Sequence, residues 1–81
     1  MINIRFFAIL REQLGVDSLH YEYTNEQTVA DIKQKLIEQG EPWTMLADED
    51  VLIAVNKTLS SETIAINDGD EIAFFPPVTG G

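Results

Sequence analysis

Cysteine is absent from the 81 residues, which excludes disulfides, a cysteine nucleophile and thiolate metal ligands. Histidine is nearly absent too. His20 stands alone, without a second imidazole to build a metal site, and its alternating neighbours make it a surface strand residue. Basic side chains are scarce: five Lys and Arg stand against fourteen Asp and Glu, for a formal net charge of −9. Nucleic-acid binding needs cations to neutralise phosphates, so that class of partner is excluded. A field of this sign keeps a protein soluble and speeds its encounter with a basic protein surface. No apolar run approaches the ~18 residues of a membrane span. Met1-Ile2-Asn3-Ile4 reads as a strand and lacks the basic start of a signal peptide, so a cytoplasmic protein with no membrane partner is expected.

What is present is enough for one small domain. Hydrophobic residues make up 44% of the chain, a globular value. A domain of this size buries only about 60–65% of its unfolded surface. That leaves little room for a private active site beside a core, so the chain is expected to work with a partner protein.

Ile2 to Leu10 alternates and predicts a strand, with Ile2, Ile4, Phe6, Ala8 and Leu10 on one face. Asn3, Arg5, Phe7 and Ile9 share the other face, and Gly15 punctuates a short helical turn over 11–14. Leu19, Tyr21 and Tyr23 alternate in a second strand. The main helix is predicted from Thr28, a capping residue with Asp31 three positions on, to Gln39, with Gly40 and Pro42 beyond as stop signals. Val29, Ile32, Leu36 and Ile37 fall on its apolar stripe. Trp43, Met45, Leu46 and Ala47 suit a short helix that closes the core.

Asp48-Glu49-Asp50 reads as a solvated acidic turn, followed by an inner strand over Val51 to Val55. Asn56-Lys57 turns into a short strand at Thr58-Leu59-Ser60. Asn67-Asp68-Gly69-Asp70 is the strongest turn signal, and Glu71 to Phe75 is the last strand. Pro76-Pro77 cannot donate ladder hydrogen bonds and must end it. The order is α+β, and a β-grasp sheet satisfies it. If the first and last strands pair, Phe7 and Phe75 meet on the face away from the helix. Aromatics exposed in this way mark an interface.

Beyond Phe75 the chain reads Pro76-Pro77-Val78-Thr79-Gly80-Gly81. Six extended residues reach about 20 Å, prolines favour extension, and glycines carry no side chain. Such a tail can thread a narrow channel and present a carboxylate inside another protein. Two terminal glycines by themselves say little, since most chain ends fray.

The context makes them specific. The ending Phe74-Phe75-Pro76-Pro77-Val78-Thr79-Gly80-Gly81 resembles the terminal signature of the molybdopterin synthase small subunits, sulfur carriers within the ubiquitin-like β-grasp superfamily. Phe6-Phe7-Ala8-Ile9-Leu10-Arg11-Glu12-Gln13-Leu14-Gly15 is similar to that family's opening block. Ala54-Val55-Asn56-Lys57 and Asp68-Gly69-Asp70-Glu71-Ile72 match its pattern as well. The resemblance spans the chain, although Tyr21 to Asp50 carries little of it.

The resemblance implies a mixed sheet of about five strands crossed by one main helix in residues 1–75, with a tail in 76–81. It implies that Gly81 is the reacting residue. An E1-like enzyme would use ATP to adenylate Gly81, and a sulfur donor would convert it to a thiocarboxylate; the chain itself would bind no cofactor and no metal. The molybdopterin synthase large subunit would take the tail, supply the acid–base groups, and assemble with this chain as a heterotetramer. Sulfur would then pass to a cyclic pterin precursor to form the dithiolene of molybdopterin. Alone, the chain would have no activity. The partner contacts so implied are Phe7, Arg11, Leu59, Phe75, Pro76, Pro77, Val78, Thr79 and Gly80. The alternatives are a sulfur carrier for thiamine or tRNA thiolation, a ubiquitin-like tag on lysines, and a passive binding module.

Overall fold

Alternation builds the inner face of the sheet. A computed structural model describes residues 1–24 and 27–76 of the chain. Its elements are β1 (Ile2–Phe6), α1 (Ala8–Leu14), β2 (Ser18–Tyr21), α2 (Val29–Ile37), a 3₁₀ turn over Trp43–Ala47, β3 (Leu52–Val55), β4 (Thr58–Leu59) and β5 (Glu71–Phe75). In β1, Ile2, Ile4 and Phe6 are buried while Asn3 and Arg5 are exposed. The strands form one mixed sheet in the order β2-β1-β5-β3-β4. β1 is parallel to β5, with Phe6 opposite Phe74, and the other pairings are antiparallel. The last strand made is thus the middle strand of the sheet. Among the described residues, no helix is long and apolar enough to cross a membrane.

The first strand is shorter than its alternation predicts. It ends at Phe6, and Ala8 opens α1 instead of continuing the strand to Leu10. Ala8 turns the chain with a φ of 55°, a left-handed conformation that costs an L-residue about 1–2 kcal/mol. Leu10 and Leu14 bury into the core from the helix. Their four-residue spacing satisfies a helix, yet it is also an even number, so it mimics continued strand alternation. Phe6 and Leu10 are likewise four apart, so the alternation of β1 continues in the sequence into α1. Gly15, at a φ of 78°, closes α1 with its N–H donated to the Arg11 carbonyl at 3.0 Å.

The main helix begins where its cap predicts. The Thr28 hydroxyl accepts from the Asp31 N–H at 3.3 Å, and the Asp31 carboxylate accepts from the Thr28 N–H at 2.9 Å. Aspartate thus completes the reciprocal box usually closed by Glu or Gln. Val29, Ile32 and Leu36 enter the core, and α2 ends at Ile37, two residues before the expected Gln39. The segment after β4 crosses the start of this helix. Val29 and Ala30 donate their free N–H groups to the Ile64 and Glu62 carbonyls at 3.1 and 2.9 Å. Lys33 of α2 pairs with the Glu62 carboxylate. Leu46 of the 3₁₀ turn is fully buried, and Trp43 meets Phe6 edge-on at 5.7 Å, so this turn closes the core as expected.

Candidate functional site

The face of the sheet opposite α2 carries a second, smaller apolar surface. Side chains at odd positions in β1 and β5 point to it, because strand residues alternate. Across the strands, Arg5 lies opposite Ala73, Ala73 opposite Ala54, and Ala54 opposite Leu59. The two alanines, 6% and 5% exposed, form a low floor in the middle of this row. Phe7 and Phe75 form a wall beside it. Their rings stack with centroids 4.7 Å apart and planes 8° from parallel. The Arg5 guanidinium lies 5.2 Å from the Phe7 ring centre, within cation–π range.

Together Arg5, Phe7, Ala54, Lys57, Leu59, Glu71, Ala73 and Phe75 line a shallow cavity of about 320 Å³. Leu59 stands at its rim, 70% exposed. A larger hollow of about 410 Å³ lies beside β3 and the 3₁₀ turn, but its wall contains the Lys33–Glu62 ion pair, whose charges satisfy one another. The aromatic cavity is the better candidate because its surface is largely apolar and its two cations, Arg5 and Lys57, form no ion pair among the described residues.

The structure brings together three of the residues expected to meet a partner, namely Phe7, Leu59 and Phe75. It does not bring Arg11 to them: this residue is exposed on α1, outside the cavity lining. Pro76 follows β5 and is half-buried. Pro77, Val78, Thr79, Gly80 and Gly81 lie outside the described residues. Sequence reasoning missed Arg5, Lys57, Ala54 and Ala73. The alanines do leave a signal, since inner strands ordinarily prefer β-branched or aromatic residues.

No group of three or more His, Cys, Asp or Glu that could hold a metal ion occurs among the described residues. This face offers an apolar floor, two stacked rings and flanking cations, an arrangement suited to a protein contact.

A five-stranded mixed sheet crossed by one main helix defines a ubiquitin-like β-grasp protein. The chain belongs to the ThiS family, whose model matches residues 4–81. It is 42% identical to the molybdopterin synthase sulfur carrier subunit of Haemophilus influenzae and 44% identical to that of Escherichia coli; in each case the match covers 100% of both chains. Its fold superimposes on the crystal structure of SAMP1 from Haloferax volcanii with a TM-score of 0.81 at 26% identity, covering 99% of this chain and 98% of that one.

Proposed function

We propose that the chain is the sulfur carrier subunit of a molybdopterin synthase, working in the cytoplasm and donating sulfur from a thiocarboxylate on Gly81. The observation that carries this reading is the continuity of β5 with the tail. Phe75 contributes to the aromatic face, and six residues later the sequence reaches Gly81, a reach of about 20 Å if extended. A partner seated on the face can therefore receive the terminus in a pocket of its own. The full-length likeness to two subunits bearing that name supports the same reading and implies a large-subunit partner.

The chemistry follows from the carboxylate. At neutral pH an α-carboxylate is an anion and a poor electrophile. Attack of the Gly81 carboxylate on ATP in an E1-like enzyme forms an acyl adenylate and releases pyrophosphate. Sulfur delivered at the sulfide level then attacks the acyl carbon, AMP leaves, and the thiocarboxylate results. In the synthase, its sulfur attacks the cyclic pterin precursor. Water then hydrolyses the resulting thioester to return the Gly81 carboxylate and leave sulfur on the pterin, and two such transfers complete the dithiolene. Sulfur rides on the terminus, which suits a chain without cysteine. Gly81 is the reacting residue, while proton transfer and substrate binding fall to the large subunit.

Mass spectrometry of the chain, purified after co-expression with its activating enzyme, tests the reading. The expected C-terminal peptide is heavier by the difference between sulfur and oxygen. Isopeptide adducts on lysines of other proteins would instead support a modifier. An unmodified terminus that still binds the large subunit would leave a passive binding module.

A further inference from the structure

The whole-chain charge of −9 favours a basic partner, yet the docking face reverses that preference. Of the five basic side chains, Lys33 is paired with Glu62 and Lys35 lies 4.0 Å from Glu38 on α2. Arg5, Arg11 and Lys57 have no ion pair among the described residues. Two of these three, Arg5 and Lys57, line the aromatic cavity from opposite sides, on β1 and on the β3–β4 turn. Glu71 is the one acidic residue in the lining. The face therefore concentrates unpaired cations on a chain that has few to place.

The backbone at Lys57 points the same way. Asn56 and Lys57 form the two-residue connection between β3 and β4, with φ values of 50° and 70°. A turn with both residues left-handed suits Asn at its first position and Gly at its second. Lysine at that second position is conformationally costly. Nothing in the hairpin requires the ammonium: Lys57 forms no ion pair among the described residues. Backbone strain held by an exposed charged side chain at a cavity rim is better explained by a contact made outside the chain.

We infer that the surface covering this face, on the large subunit of the proposed function, is an apolar projection flanked by carboxylates, with Arg5 and Lys57 as the residues that pair with them. The projection would sit over Ala54 and Ala73 against the Phe7–Phe75 stack. The carboxylates would meet the cations at the two sides, steering approach and fixing register. Composition alone points to a basic partner surface, and at this face the local geometry points to the opposite sign. This inference rests on the docking reading, and the experiment separates the two.

Affinity for the large subunit from the same organism is measured by calorimetry at low and high salt for wild type, Lys57→Glu, Arg5→Glu, Lys57→Gly and Lys35→Glu. Lys57→Glu and Arg5→Glu should each weaken binding roughly three- to tenfold at low salt, with the difference shrinking as salt rises. Lys35→Glu makes the same charge change on α2 and should shift affinity less than about twofold. Lys57→Gly should melt no lower than wild type, because glycine suits the turn, while still weakening binding. That combination rules out loss of fold as the cause. Equal weakening by Lys35→Glu and Lys57→Glu would overturn the inference in favour of net charge alone. Unchanged affinity in both cavity variants would also overturn it. Failure of the wild-type chain to bind the large subunit at all would instead defeat the proposed function.

Discussion

Phe6 lies opposite Phe74 in the parallel pair of β1 and β5, and this one register match yields an aromatic stack on each face of the sheet. Inside, the Phe6 and Phe74 rings lie 5.7 Å apart, with planes 13° from parallel. Outside, Phe7 and Phe75 stack at 4.7 Å. Each Phe-Phe dipeptide thus divides its rings between folding and surface, and substitutions of neighbouring residues should have opposite signatures.

Phe75→Ala should leave the chain folded and weaken large-subunit binding by about 2 kcal/mol or more, as loss of a central aromatic anchor does. Phe74→Ala removes a fully buried ring and should cost about 3–5 kcal/mol of stability. Thermal unfolding beside calorimetric titration checks both. A Phe75→Ala chain that unfolds while its folded fraction binds normally would make Phe75 a core residue.

Much of this arrangement was legible in the sequence, because period-two alternation assigns each phenylalanine to a face without knowledge of the topology. The Thr28 cap, the Gly69 turn and the end of β5 were legible for similar local reasons. The end of β1 was not, since Phe6 and Leu10, four apart, satisfy strand and helix spacing alike. The cationic rim was also hidden. Arg5 and Lys57 are 52 positions apart, and only the β1–β5–β3–β4 order places them around one cavity. Composition reported the net charge and could not report where its few opposing charges would gather.

Ala8→Gly should stabilise the fold. Ala8 holds a φ of 55° between β1 and α1, where glycine pays no steric penalty. A gain of about 0.5–1 kcal/mol is expected, or a few degrees in Tm for a domain of this size. Denaturant midpoints at unchanged m-value would measure it. A loss of stability would mean that the alanine methyl makes contacts worth more than the strain.

Deleting Gly81 should leave Tm nearly unchanged, because every buried residue among those described lies at or before Phe74. It should nevertheless abolish thiocarboxylate formation and sulfur transfer. Gly80 would then supply a carboxylate about 3.5 Å short of its place, and a misplacement of even ~1 Å can cost ~10²-fold in rate. An added residue after Gly81 should fail as well, whereas Gly81→Ala should be impaired but not dead. Adenylation and synthase turnover, assayed beside thermal unfolding, check the series. Near wild-type turnover by the deletion variant would defeat the carrier reading.

The position of β5 has a consequence for biosynthesis. Of the five strands this one leaves the ribosome last, yet β1 and β3 have no other bridge within the sheet. Until it arrives, the sheet consists of two separate strand pairs, β1–β2 and β3–β4, and two-stranded units are at best marginally stable alone. Assembly therefore waits on contacts between the two ends of the chain, which form late and at high entropic cost. Phe75, which half-builds the docking face, enters with that same strand. A product interrupted before β5 would lack Glu71, Ala73 and Phe75 of the cavity, and with them the Phe7–Phe75 stack. Closure of the sheet and completion of the aromatic wall are thereby tied to one event.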